Sequence, residues 1–175
     1  MRHTLIRMGF ALASIAAVGA AEFTATASAA PVPAIAHRDR GDQPCVNGQL
    51  ATSISELSPG SQHRGIRLTY NLAPGAGPCT LYGYPGLDTG GRVPAERTLR
   101  GYLGGLPDGQ NSLYTVMVTP DHPARADVEW MAVDTSGNSC VTDPGFWTTP
   151  PNTTDTQWMP EQIQPCRLQI HPVVG

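Results

Sequence analysis

The chain has 175 residues, with 11 basic against 14 acidic side chains and a formal net charge of -3; every basic residue is Arg. Charged residues make up 14% of it, against about 25% in a typical globular domain, and this balance excludes a general electrostatic case for binding nucleic acid or an anionic membrane. The 19 Gly and 17 Pro are abundant but stay below the roughly 25–30% that marks low-complexity disorder, and the length suits one domain with its own core.

Residues 1–29 read as a secretory signal peptide. Arg2, His3 and Arg7 make a positive start, Met8 to Ala21 is an apolar run, and Ala27-Ser28-Ala29 offers a small-x-small cleavage site. The run is too short to span a bilayer comfortably, and no later segment approaches the required length of about 20 residues. The expected product is extracytoplasmic and carries no membrane span. Residues 30–44, including Pro31, Pro33 and Pro44, show no apolar period and read as a flexible linker. The domain is then expected over 45–175.

From Cys45 onward the hydrophobic period is two. Weak strand candidates run from Leu50 to Glu56, from Cys79 to Tyr82 and from Leu113 to Thr119. Stronger ones are Ile66, Leu68, Tyr70 and Leu72; then Ala126, Val128, Trp130 and Ala132; then Cys166, Leu168 and Ile170, each alternating with polar residues. In the second of these, Asp127 and Glu129 fall on the outward face, where solvated surface is the expectation. Separators such as Ser58-Pro59-Gly60, Pro107-Asp108-Gly109 and Pro120-Asp121 carry turn chemistry. Short alternating strands between such turns predict an all-β, antiparallel β-sandwich.

Cys45, Cys79, Cys140 and Cys166 are an even set in a chain read as secreted, which predicts two disulfides rather than a zinc site or a nucleophile. Three pairings are open; we favour the sequential one, Cys45–Cys79 and Cys140–Cys166, each loop stabilising by about 3.5–4 kcal/mol on the chain-entropy model. Val141 to Pro165 holds five prolines and a polar tract at 152–156, and it reads as a long irregular loop closed by Cys140 and Cys166. Phe146, Trp147 and Trp158 lie in it and are the candidate binding residues, since aromatics argue against plain disorder and are enriched at binding hot spots.

Searches for catalytic and metal chemistry give little. No Gly-x-Ser-x-Gly elbow is present, Ser61 and His63 share a polar turn, and the scattered carboxylates single out no glycosidase pair. His63, His122, His171, Met117, Met131 and Met159 match no metal-binding spacing, and Gly101-Tyr102-Leu103-Gly104-Gly105 is no phosphate loop because no helix signal follows it. A non-enzymatic protein without metal or cofactor is expected.

Pro78-Cys79-Thr80-Leu81-Tyr82-Gly83-Tyr84-Pro85-Gly86, preceded by Leu68-Thr69-Tyr70-Asn71, is the most distinctive stretch. It resembles the motif of a family of secreted actinobacterial proteins catalogued as domain of unknown function 4232. Val128-Glu129-Trp130 and the final Leu168 to Pro172 strand agree with that resemblance, which covers about 45 to 174. The longer, Trp-rich segment between Cys140 and Cys166 and Pro120-Asp121 in place of Pro-Gly depart from it. The resemblance implies an immunoglobulin-like β-sandwich at the cell envelope and assigns no catalytic residue. The expected function is therefore a binding module for an envelope or extracellular protein or glycan, acting through the 141–165 loop. The alternatives are a protease inhibitor using that loop or, further off, a small hydrolase.

Overall fold

The computed structural model describes residues 42–91 and 94–175. The signal peptide at 1–29 and the linker as far as residue 41 lie outside the described residues. The rest of that linker is already part of the domain: the Thr80 N–H donates to the Gln43 carbonyl and the Cys45 N–H to the Thr80 carbonyl, pairing Pro44 with Thr80.

Among the described residues, ten strands form three sheets. β1 (Leu50–Gly60), β2 (His63–Leu72), β7 (Ala124–Met131), β10 (Cys166–Ile170) and β5 (Glu96–Arg97) make a five-stranded sheet in the order β1-β2-β7-β10-β5. β3 (Cys79–Leu81) pairs with β6 (Val116–Val118), and β4 (Gly86–Thr89), β8 (Phe146–Thr149) and β9 (Gln157–Met159) form a third sheet in the order β4-β8-β9. Every pairing is antiparallel except β10 with β5. The fold is the expected all-β sandwich, immunoglobulin-like in its layered antiparallel sheets. Both disulfides follow the sequential pairing, with Cα–Cα distances of 4.9 Å for Cys45–Cys79 and 5.5 Å for Cys140–Cys166.

Alternation builds the core. The β2–β7 register sets Ile66 beside Val128, Leu68 beside Ala126 and Tyr70 beside Ala124, so one face of the large sheet is continuously apolar. Against it pack Leu81, Val116, Val118, Leu87, Phe146 and Met159 from the two smaller sheets. Burying a Leu, Ile or Phe side chain stabilises by about 1.5–3 kcal/mol, so this shared cluster joins the three sheets into one domain. Burial also pushes the Tyr70 phenol far above its ordinary range, an effect that the Thr148 hydroxyl offsets only in part.

One local expectation is corrected. The turn expected at Ser58-Pro59-Gly60 falls two residues later: β1 continues to Gly60 through a register shift, and Ser61 (φ 40°) and Gln62 (φ 71°) form the two-residue hairpin loop. In β10 the register slips by one residue between Cys166 and Gln169, with Arg167 at φ 55°, a bulge across which the expected alternation holds: Cys166, Leu168 and Ile170 are buried and Arg167 is exposed.

The larger correction concerns Asp127 and Glu129. They point away from the core as expected, yet they are only 8% and 2% exposed. The segment from Thr98 to Leu106 lies across this outer face as a strap. Glu129 accepts the backbone N–H groups of Tyr102 at 2.9 Å and Leu103 at 2.7 Å, and the His171 Nε2 lies 3.5 Å from its Oε1. Arg67 forks onto Asp127 at 2.7 and 2.9 Å, and Tyr102 stacks on His63 with ring centroids 4.1 Å apart. A Cβ at Gly101 would strike the Glu129 carboxylate, and one at Gly104 would strike Asp127. The glycine-rich stretch is thus a device for close backbone approach.

The Pro78–Gly86 motif has a structural use. Cys79 and Leu81 are buried, Gly83 takes φ 99°, and its carbonyl receives the Val173 N–H at 2.9 Å. The motif therefore ties the C-terminal segment to the sandwich. Tyr84 is half-buried, with the Arg97 guanidinium 6.0 Å from its ring centroid.

Candidate binding site

The segment from Val141 to Pro165 is not an irregular loop. It holds β8 and β9, joined by a turn in which Asn152 takes φ 62°, and β8 pairs with β4 on its other side. Prolines 144, 150–151 and 160 lie outside these strands, which are only four and three residues long. Strands that short leave too few residues to show a period against the prolines around them. The polar tract is pinned as well: Asn47 donates to Thr154 Oγ1 at 2.7 Å and accepts the Thr154 N–H at 3.0 Å, while the Gly48 N–H reaches Asp155 at 3.1 Å.

The pleat then sorts the three candidate aromatics. Phe146 pairs with Thr89 and Met159 on the inner face and is fully buried; it packs the core and presents nothing to a ligand, which corrects its assignment as a binding residue. Its neighbour Trp147 points the other way, as the period of two requires. The register places Asp88, Trp147 and Trp158 in one row across the outer face of β4, β8 and β9. Trp147 is 43% and Trp158 37% exposed, and their rings meet at 5.0 Å with a tilt of 58°, an arrangement aromatic quadrupoles favour.

These two rings, with Gly90, Gly91, Asp143 and Pro144, wall an open and largely apolar cavity of about 670 Å³, within the usual range of roughly 300–1,000 Å³ for ligand clefts. Trp158 owes its place to glycine: a Cβ on Gly145 would strike the Met159 carbonyl oxygen and the indole, and one on Gly90 would crowd the indole at 3.3 Å. The Gly90 N–H donates to the Gly145 carbonyl at 3.1 Å, which holds the two backbones under the ring.

Trp147 also borders a second cavity of about 370 Å³, whose lining includes Asp88, Arg97, Thr149 and Thr156. The two threonine hydroxyls bond each other at 2.8 Å. Asp88 Oδ1 is buried and has no hydrogen-bond partner among the described residues. The sequence reading missed Asp88, Asp143 and Arg97; only the cross-strand register and the chain reversals bring them to the tryptophans. The histidines weighed for metal are dispersed: His63 stacks on Tyr102, His122 lies 3.3 Å from Thr119 Oγ1, and His171 is buried beside Glu129.

A family model described as a domain of unknown function (DUF4232) matches residues 45–174. No curated protein and no solved structure matches the chain.

Proposed function

On the premise that the chain belongs to the DUF4232 family, matched over 45–174, we propose that it is a secreted, non-enzymatic binding module of the cell envelope that grips its partner through Trp147 and Trp158. One observation carries this reading: two tryptophans stand side by side on an outer sheet face and wall an open cavity. Large exposed aromatics on a braced surface bind at low ordering cost, and the Cys140–Cys166 bridge closes the segment that carries both. Two disulfides are consistent with an extracytoplasmic location, and no helix among the described residues is long and apolar enough to cross a membrane. The protease-inhibitor alternative requires an extended protruding loop, whereas Phe146–Thr149 and Gln157–Met159 are committed to a sheet.

The test is retention of envelope-extract and culture-filtrate components by the oxidised chain, beside the double variant Trp147→Ser/Trp158→Ser with a matching thermal melt. A species held by the first and lost by the second is expected. Equal retention by both proteins, or by neither, refutes the reading.

A further inference from the structure

We propose that the two cavities flanking Trp147 are adjoining subsites for a neutral oligosaccharide, with Trp147 as the shared wall over which the sugar chain passes. This rests on the binding reading above and names its ligand class. The cavities differ in chemistry in a way that few ligand classes match. One has aromatic walls from Trp147 and Trp158; the other offers the Asp88 carboxylate, the Arg97 guanidinium and the hydroxyls of Thr149 and Thr156. A sugar ring has the same division, with an apolar C–H face that lies on an aromatic π-face and a rim of hydroxyls that both donate and accept.

The state of Asp88 sharpens the choice. Its buried Oδ1 lacks a partner among the described residues, and leaving such an acceptor unpaired costs about 1–3 kcal/mol. The same carboxylate lines the second cavity, where a ligand hydroxyl donates to it. A purely apolar or aromatic ligand fills the first cavity and brings that carboxylate no donor, and a site built around a hydroxyl discriminates against ligands lacking one. Anionic ligands meet Asp88 in one cavity and Asp143 in the other, on a chain of net charge -3. In the second cavity the Asp88 carboxylate is matched by the Arg97 guanidinium, so that cavity offers a cation no net attraction. Charge and hydrogen bonding together leave a neutral, hydroxyl-rich chain long enough to touch both sides of Trp147.

The experiment is titration of the oxidised chain, followed by tryptophan emission and calorimetry, with glucose oligomers and N-acetylglucosamine oligomers of two to six units. At least one series is expected to bind, with affinity rising about tenfold or more once the oligomer is long enough to straddle Trp147. Asp88→Ala should remove about tenfold from the longer members and leave the shortest unchanged, whereas Trp147→Ala should weaken all of them. Trp147→Phe keeps the apolar packing and should restore part of the binding, which separates loss of the site from loss of the fold. Affinity independent of length and indifferent to Asp88→Ala overturns the two-subsite arrangement. Failure of both series, while the Trp147- and Trp158-dependent retention of an envelope species persists, overturns the sugar assignment and leaves the binding reading standing. Failure of both series together with indifference of that retention to the tryptophans removes both.

Discussion

Replacing Glu129 by Gln tests the strap across the outer face of the large sheet. The side chain is 2% exposed and its carboxylate accepts two backbone N–H groups, from Tyr102 at 2.9 Å and Leu103 at 2.7 Å. Gln keeps the shape, but it has one oxygen for two donors and turns an NH₂ group toward the other N–H. The substitution removes one charge-assisted bond, worth about 1.5–3 kcal/mol, and adds a donor facing a donor. The cost should be about 2–4 kcal/mol, or about 8–16 °C in Tm at about 4 °C per kcal/mol for a domain of this size. Urea and thermal melts by circular dichroism measure it, with Glu56→Gln, on the exposed edge of β1, as a control expected within about 0.5 kcal/mol of the parent. Amide exchange adds a local readout, since the Tyr102 and Leu103 amides should lose protection before the core strands do. A loss below about 1 kcal/mol, with those two amides exchanging as in the parent, would show that the carboxylate does not hold the strap.

Three further outcomes follow from the same structure. Gly145→Ala should push the Trp158 indole off its seat and strain the Met159 backbone; overpacking of this kind costs about 1–3 kcal/mol, and a red-shifted, more quenchable tryptophan emission should accompany it, whereas parental emission would contradict the packing. Removing either disulfide by paired Cys→Ser changes should cost about 3.5–4 kcal/mol, because the closed loops of 34 and 26 residues are of similar length; denaturant melts in which one pair proves dispensable would mean that its loop is held by other contacts. For Tyr70, burial raises the folded pKa above the ordinary 10.0, so its contribution to stability is complete below about pH 10 and is lost as pH climbs from there toward the folded value. Absorbance at 295 nm should therefore show one of the five tyrosines ionising only as the fold is lost; all five titrating together in a folded protein would refute its burial.

Much of the scaffold was legible in the residues themselves. The alternation in Ile66–Leu72 and Ala126–Ala132 can bury one face only as strands, and the even cysteine set needed only a pairing. What failed did so for tertiary reasons. Asp127 and Glu129 carry the polar half of an alternating strand, and nothing local shows that a separate segment, 98–106, will cover them; two adjacent buried carboxylates become tolerable only with Arg67 and the Tyr102 and Leu103 amides in place. Phe146 and Trp147 are neighbours with the same chemistry, and their opposite fates follow from pleat and register.

The candidate site divides along the same line. Composition and sequence order determined that this chain builds a disulfide-braced β-sandwich and that aromatic side chains lie between Cys140 and Cys166, because period-two burial and cysteine pairing are encoded in each residue and its near neighbours. The tertiary structure alone decided which tryptophans face outward, and that Asp88, 59 residues before Trp147 in the chain, ends up beside it in a cross-strand row with Trp158. Such a row is a matter of register between strands distant in sequence, and register is set by the whole packed core rather than by any local run of residues.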